Sequence, residues 1–340
     1  MITPLSHTIP LGPLHPGHGI HDPSSGTPDR VPGSVRRTVT TDMLRPDGID
    51  GRLVLAGRGR DLATTPDGTP RVLSTADMEA EVDFAGDWSL LSLDTDPPRP
   101  ALQAVLGANA GAGFRGKVLT ADPAVADEAN LLHQLLDDIP VTTLVSGHAW
   151  GAETDRRGDR STPSGKSFFG RDMCAGFADG GTLMTRVDEV GRPPVVTGPP
   201  AGELRTDDPW AWHELPPLPP HGMRRARRTD VVGGDRPRVD VLYRDSYLRP
   251  DGLETVIHEY EITLEFRDRV IHTIRATPRV LPWVECPAAA ASAERLAGMP
   301  LAGLRTHVRK TFGGTSTCTH LNDTLRSLED VPGLLAHLTG

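Results

Sequence analysis

Two sets of similar short motifs occur in the same order along the chain, over residues 60–140 and 244–332. Each set begins with an Arg-Asp pair followed at the same spacing by Pro-Asp-Gly, at Arg60-Asp61 and at Arg244-Asp245. The later matches are 79–84 with 261–266, Gly113-Phe114-Arg115 with Gly303-Leu304-Arg305, and 136–140 with 328–332. Four matches in one order indicate an internal duplication, so the two copies are expected to share one fold.

The bulk properties of the chain exclude several classes of protein. A length of 340 residues is sufficient for two domains. The net charge of −9 and the aromatic content of 4% disfavour nucleic-acid binding. No apolar run reaches the roughly 18 residues that a membrane span needs, and the N-terminus lacks the pattern of a secretory signal. Three cysteines, an odd number, argue against a disulfide framework, so a cytoplasmic protein is expected.

Changes in composition divide the chain into four segments. Residues 1–35, rich in Pro, Gly and His, predict a surface arm, and residues 36–146 are the first copy. Residues 147–222 form a Gly/Pro-rich connection with one β-like run at 182–187, and residues 223–340 are the second copy. Each copy reads as strands followed by helices. This order predicts an α+β fold with helices on one face of a small antiparallel sheet, the two repeats being related by a pseudo-two-fold axis.

The copies differ at two places, and both differences contain a cysteine. The second copy inserts 280–288, which includes Cys286, and it begins its last helix with Cys318 and His320 where the first copy has neither residue type. The second copy is therefore expected to be the functional half. The first copy would be its structural partner, packed against it face to face.

The local sequence around Cys318 predicts a reactive thiol. A Gly-Gly turn followed by Ser316 or Thr317 indicates a helix N-cap, which would place Cys318 in the first helical turn. Free backbone N–H groups and the helix dipole favour a thiolate there. His320 would point about 200° away from Cys318 around the helix, so the two could share a ligand only where the helix begins. Alternatively, Cys318 is a small buried hydrophobic residue.

Further candidate ligands lie elsewhere in the second half of the chain. Cys286 precedes a helix of small residues, His258 lies in a hairpin strand, and Cys174 in the connection could add a third thiolate. No C-x-x-C or H-x-x-x-H spacing supports a standard zinc site. Because the Arg-Asp pairs occur in both copies, a structural role in a strand-end ion pair or a turn is favoured, and an acid/base role for Asp245 stays open. The carboxylates at 137–138 and 329–330 are expected to be solvated.

Two family resemblances extend these interpretations. The stretch 276–321, with PWVECPAAAASAERL and GGTSTCTHL, resembles a bacterial family known as domain of unknown function 2889. The segments 32–38 and 135–147 are similar to its longer, actinobacterial-type members. A strand hairpin, a cysteine before a helix and a cysteine opening a C-terminal helix resemble the NifU-type iron–sulfur scaffold. That resemblance implies ligand roles for Cys286 and Cys318, but the scaffold's first cysteine is absent, because 256–258 reads Val-Ile-His.

Three functional hypotheses follow, and none identifies a substrate or settles whether the protein is an enzyme. The first is a metal- or sulfur-handling site for Zn or Fe, built from Cys286, Cys318, His320 and His258. The second is a metal-free enzyme acting on a small molecule in a cleft between the copies, with Cys318, His320 or Asp245 as its reactive group. The third is a non-catalytic structural or interaction protein.

Overall fold

A single antiparallel sheet of nine strands organises the described part of the chain, which in this computed structural model is residues 18–127, 130–158, 170–191 and 193–338. The strand order is β1-β9-β8-β7-β6-β2-β3-β4-β5. The strands are β1 (Ile20–His21), β2 (Ser34–Leu44), β3 (Leu53–Thr64), β4 (Pro70–Val82), β5 (Leu90–Asp96), β6 (Met223–Val232), β7 (Arg238–Leu248), β8 (Glu254–Arg267) and β9 (Val270–Leu281). The first seventeen residues of the predicted arm, with His7 and His15, lie outside the described residues.

Seven α-helices accompany the sheet in the described ranges, and they confirm the α+β class. They are α1 (Phe114–Ala121), α2 (Leu131–Val145), α3 (Gly147–Arg157), α4 (Thr182–Val190), α5 (Leu304–Thr311), α6 (Thr319–Ser327) and α7 (Val331–Ala336). Short 3₁₀ helices cover Pro100–Val105, Pro123–Ala126, Ala175–Phe177, Cys286–Leu296 and Leu328–Asp330. None of the helices in these ranges combines the length and the apolar character that crossing a membrane requires.

The β-like interpretation of 182–187 is wrong, because these residues begin α4. Leu183 and Met184 are buried on one side of this helix, with Val187 one turn on partly buried beside them. The carboxylate of Glu285 accepts a hydrogen bond of 2.6 Å from the backbone N–H of Thr182, which satisfies a free donor at the helix start. The N-cap residue, Gly181, provides no capping side chain, so a tertiary contact caps the helix instead.

The strands form two consecutive meanders, β2–β5 and β6–β9, that join edge to edge through β2 and β6. The expectation of two sheets packed face to face is wrong. Two reciprocal ion pairs link the central strands: Arg36 Nε lies 2.5 Å from Asp230 Oδ1, and Arg224 Nε lies 2.6 Å from Asp42 Oδ1. Each pair joins residues directly opposite each other, so burying both guanidinium groups also sets the register of the two halves.

The two faces of the sheet are covered differently. Helix α2 crosses one face so closely that a Cβ atom on Gly59 would lie 2.8 Å from Leu131 Cδ1. Parts of the arm and of the connection cover the opposite face, where Arg244 donates hydrogen bonds to the carbonyl oxygens of Ser24 and Gly202. The second copy's helices pack on the same face as α2, which places the start of α6 over β7 and β8.

Candidate metal centre

The pairing of β7 with β8 places His258 directly opposite Asp245. His258 Nδ1 lies 3.2 Å from Asp245 Oδ2, and His320, the second residue of α6, places its Nδ1 3.5 Å from the same oxygen. The two imidazole rings stack with their centroids 3.8 Å apart. Within the described residues, this is the one group of three His, Cys, Asp or Glu side chains whose ligand atoms all lie within 4.8 Å of each other.

A buried arginine and a buried tyrosine hold the carboxylate of Asp245 in place. Arg225 donates through Nε to Oδ1 at 2.9 Å and through Nη2 to Oδ2 at 3.1 Å. The hydroxyl of Tyr243 donates to Oδ2 at 2.5 Å and also lies 3.1 Å from His320 Nδ1. Arg225, Tyr243 and Asp245 are almost completely excluded from solvent, so the bidentate pair compensates a charge that would otherwise be very costly to bury.

This environment determines the protonation states of the cluster. Burial raises the pKa of Asp245, but Arg225 and the hydrogen bond from His258 outweigh that effect and hold the pKa well below its usual range. Burial lowers the pKa of His320 well below its usual range, and the neighbouring His258 lowers it further. Near neutral pH the carboxylate is therefore ionised and the His320 imidazole is neutral, which are the states that bind metal ions.

The first half has the same ion pair without the histidines. Arg37 donates to both oxygens of Asp61 at 2.7 Å, as Arg225 does to Asp245. The residue opposite Asp61 on the next strand is Ser74, whose hydroxyl donates to Asp61 Oδ2 at 3.0 Å. Ser74 thus occupies the cross-strand position that His258 has in the second half. The two halves thus differ at the residue that, in the second half, places an imidazole beside the carboxylate.

Each repeated Arg-Asp dipeptide is divided between the two faces of its strand, as the alternation of side chains requires. Asp245 faces the helices, whereas Arg244 pairs with Glu259 on the opposite face. A structural ion pair, which the sequence favours, is thus present in each half, but it lies inside the sheet rather than at a strand end. Its arginine comes from the preceding strand.

The cysteines lie apart from the Asp–His–His group. Cys318 is the N-cap of α6 rather than a residue of its first turn, and Cys286 begins the 3₁₀ helix that follows β9. All three cysteines are free and buried. Burial raises the pKa of Cys318, whereas a helix-stabilised thiolate would have a lowered one. The structure thus brings His258, His320 and Asp245 together, and it leaves Cys286 and Cys318 out of that group.

Sequence reasoning found three members of the site but missed the groups around them. Arg225 and Tyr243 belong to none of the motifs that the sequence singles out as candidate sites. For Asp245 the sequence favours a structural role and leaves an acid/base role open, and it does not indicate a ligand. The cross-strand register, which the sequence did not specify, is what joins these residues.

One family model matches part of the chain. It is described as "Protein of unknown function (DUF2889)", and it matches residues 223–333. Residues 223–333 are similar to that family. The matched region contains Asp245, His258 and His320, together with Arg225 and Tyr243, and so includes the complete cluster. A search of curated proteins and a search of solved structures each found no match.

Proposed function

We propose that this protein binds a divalent transition-metal ion through Asp245, His258 and His320. The spacing of the ligand atoms carries the proposal. Ligand atoms at roughly 2.1 Å from one ion are about 3.0 Å apart in an octahedron and about 3.4 Å apart in a tetrahedron. The two imidazole nitrogens lie 3.2 and 3.5 Å from Asp245 Oδ2, the first within this range and the second just above it.

The donor set favours particular metals. Two imidazoles and one carboxylate suit Zn(II) and Fe(II), and three protein ligands leave positions open for water or a substrate. An ion bound there would supply Lewis-acid or redox chemistry, while Arg225 and Tyr243 would keep the carboxylate oriented. Thiolate ligands from Cys286 and Cys318 are not part of this proposal, because neither cysteine belongs to the Asp–His–His group.

The contrast between the two halves supports a specific role for the second. We infer that the halves arose by duplication, because Arg37–Asp61 and Arg225–Asp245 are equivalent bidentate pairs on equivalent strands. The pair of the first half lies against Ser74 and has only a structural task. In the second half His258 stands at that position and His320 approaches from α6. The NifU-type fold stays a prediction.

A cobalt titration of metal-stripped protein tests the proposal. Wild-type protein should bind one equivalent of Co(II) with visible absorption bands, and Zn(II) should displace it. Asp245→Asn and His258→Ser, the second of which reproduces the first half, should abolish binding. Asp61→Asn disturbs the equivalent pair in the first half, so it controls for lost stability and should still bind. Absence of Co(II) binding by folded wild-type protein, or equal loss in Asp61→Asn, would refute a metal site here.

A second candidate function rests on the hydrogen bond between His258 and Asp245. A carboxylate that accepts from Nδ1 fixes the tautomer of an imidazole and leaves Nε2 as a general base. This function is a form of the metal-free enzyme hypothesis in which an imidazole and Asp245, and not Cys318, carry the chemistry. It predicts that chelators leave any activity intact, whereas the metal proposal predicts that they remove it.

A further inference from the structure

A fourth histidine from the other half of the sheet lies beside the cluster. Helix α2 ends at Val145, and α3 begins two residues later at Gly147 and carries His148 onto the second half. The ring of His148 contacts the ring of Tyr247 edge-on, with centroids 5.2 Å apart. Tyr247 is two residues beyond Asp245 on β7. A side chain of the α2–α3 segment is thus placed next to the strand that supplies the carboxylate.

The imidazole of His148 is neutral and free to bind. Burial lowers the pKa of His148 to about 3, and the nearby His258 adds to this effect while Asp245 opposes it. Tyr247 and Asp245 are two residues apart on β7, so their side chains lie on the same face of the sheet, and His148 lies on that face through its contact with Tyr247. Among the described residues, no hydrogen bond uses either of its ring nitrogens. Tyr247, by contrast, is engaged through its hydroxyl, which lies 3.2 Å from His221 Nδ1.

We propose that His148 is the fourth protein ligand of the ion held by Asp245, His258 and His320, an inference that rests on the proposed function. In the present arrangement His148 is outside the group of three, so its imidazole turns toward His258 by side-chain rotation when the ion binds. Four protein ligands complete a tetrahedral Zn(II) site, whereas an octahedral ion such as Fe(II) keeps two positions open for water or a substrate. The ion then links α3 to β7, β8 and α6, and it fastens the two halves together.

Co(II) titrations of wild-type protein, His148→Ala and His148→Phe test whether His148 is a ligand. The phenylalanine variant keeps an aromatic ring against Tyr247 but has no nitrogen, so it serves if the alanine variant does not fold. Both variants should bind Co(II) at least about tenfold more weakly. Their visible bands should also be weaker, because water replaces a protein ligand and raises the coordination number. Added imidazole should restore the wild-type spectrum of His148→Ala by filling the vacated position.

His221→Ala is the matched control, because His221 contacts the same tyrosine but does so through the tyrosine hydroxyl. The His221→Ala variant should bind Co(II) as wild-type protein does. Wild-type protein that binds no Co(II) would overturn the proposed function together with this inference. Wild-type binding with unchanged affinity and spectrum in both His148 variants would overturn the inference alone. An equal loss in His221→Ala would also overturn it, since the effect would then come from packing on Tyr247.

Discussion

Acidification of the metal-free protein from about pH 8 to about pH 5 should lower its free energy of unfolding by at least about 4 kcal/mol. Two half-buried histidines produce this change. Burial is the main cause that lowers the pKa of His148 and of His213 from 6.5 to about 3. Arg60 and Arg224 lower the pKa of His213 further, and its ring nitrogens bond to the hydroxyls of Thr38 and Thr40.

The sign and the size follow from proton linkage. A histidine with a lowered folded-state pKa stays neutral in the folded protein while it gains a proton in the unfolded chain. Stability therefore falls as the pH drops below 6.5, and it continues to fall until the folded-state pKa is reached. At about pH 5 each group is roughly 1.5 pH units below the unfolded value, which corresponds to about 2 kcal/mol. His320 and His133, whose pKa values are also lowered by burial, act in the same direction.

Urea unfolding followed by circular dichroism at a series of pH values measures this slope. His213→Gln should remove about 2 kcal/mol of the change, because glutamine does not titrate. His272→Gln, at an exposed position on β9, should leave the slope unaltered. A free energy of unfolding that stays constant over this pH range, in chelator and without metal, would show that these imidazoles are not held neutral. The reasoning about burial at both sites would then be refuted.

Three shorter predictions concern the thiols and the closeness of α2 to the sheet. Cys318→Ser should retain the Co(II) stoichiometry of wild-type protein, and loss of the ion would return this thiol to the ligand set. An aromatic disulfide reagent should label the native protein slowly and the urea-unfolded protein fast, because the thiols are buried and burial raises the pKa of Cys174 to about 12; rapid native labelling would contradict this. Gly59→Ala should lower stability by about 1 to 3 kcal/mol because the new Cβ would meet Leu131 at 2.8 Å. Gly116→Ala, on α1 where a Cβ meets nothing within 4 Å, should be neutral or stabilising in the same thermal denaturation assay.

Local pattern was sufficient for most strands and helices, and it failed where a distant contact decides. The hairpin of β8 and β9 turns at Asp268 and Arg269, next to the predicted Arg267-Asp268. Thr182 begins a helix instead of a strand because Glu285, over a hundred residues away, accepts its backbone N–H.

Local sequence also failed to predict the environment of the carboxylates that precede Ile139-Pro140 and Val331-Pro332. Asp138 and Asp330 were expected in solvent, yet only 2% and 3% of their surfaces are exposed. Asp330 pairs with Arg37 of the other half at 2.7 Å, and Asp138 accepts from Arg227. A single sequence does not reveal such partners, because a buried charge is recognised only once its counter-ion is known.

The sequence by itself predicted an α+β fold and two stretches with similar motifs, of which the second differs by its cysteines and His320. The candidate residues read from the sequence included all three members of the candidate centre, Asp245, His258 and His320. Only the tertiary structure decided which candidates lie together, because the distance between side chains depends on strand register and helix placement, which are non-local. Register set His258 against Asp245, and the docking of α6 on β7 and β8 added His320. The same packing buries Cys318 and so raises its pKa. The thiolate that the helix start was expected to stabilise is therefore not favoured.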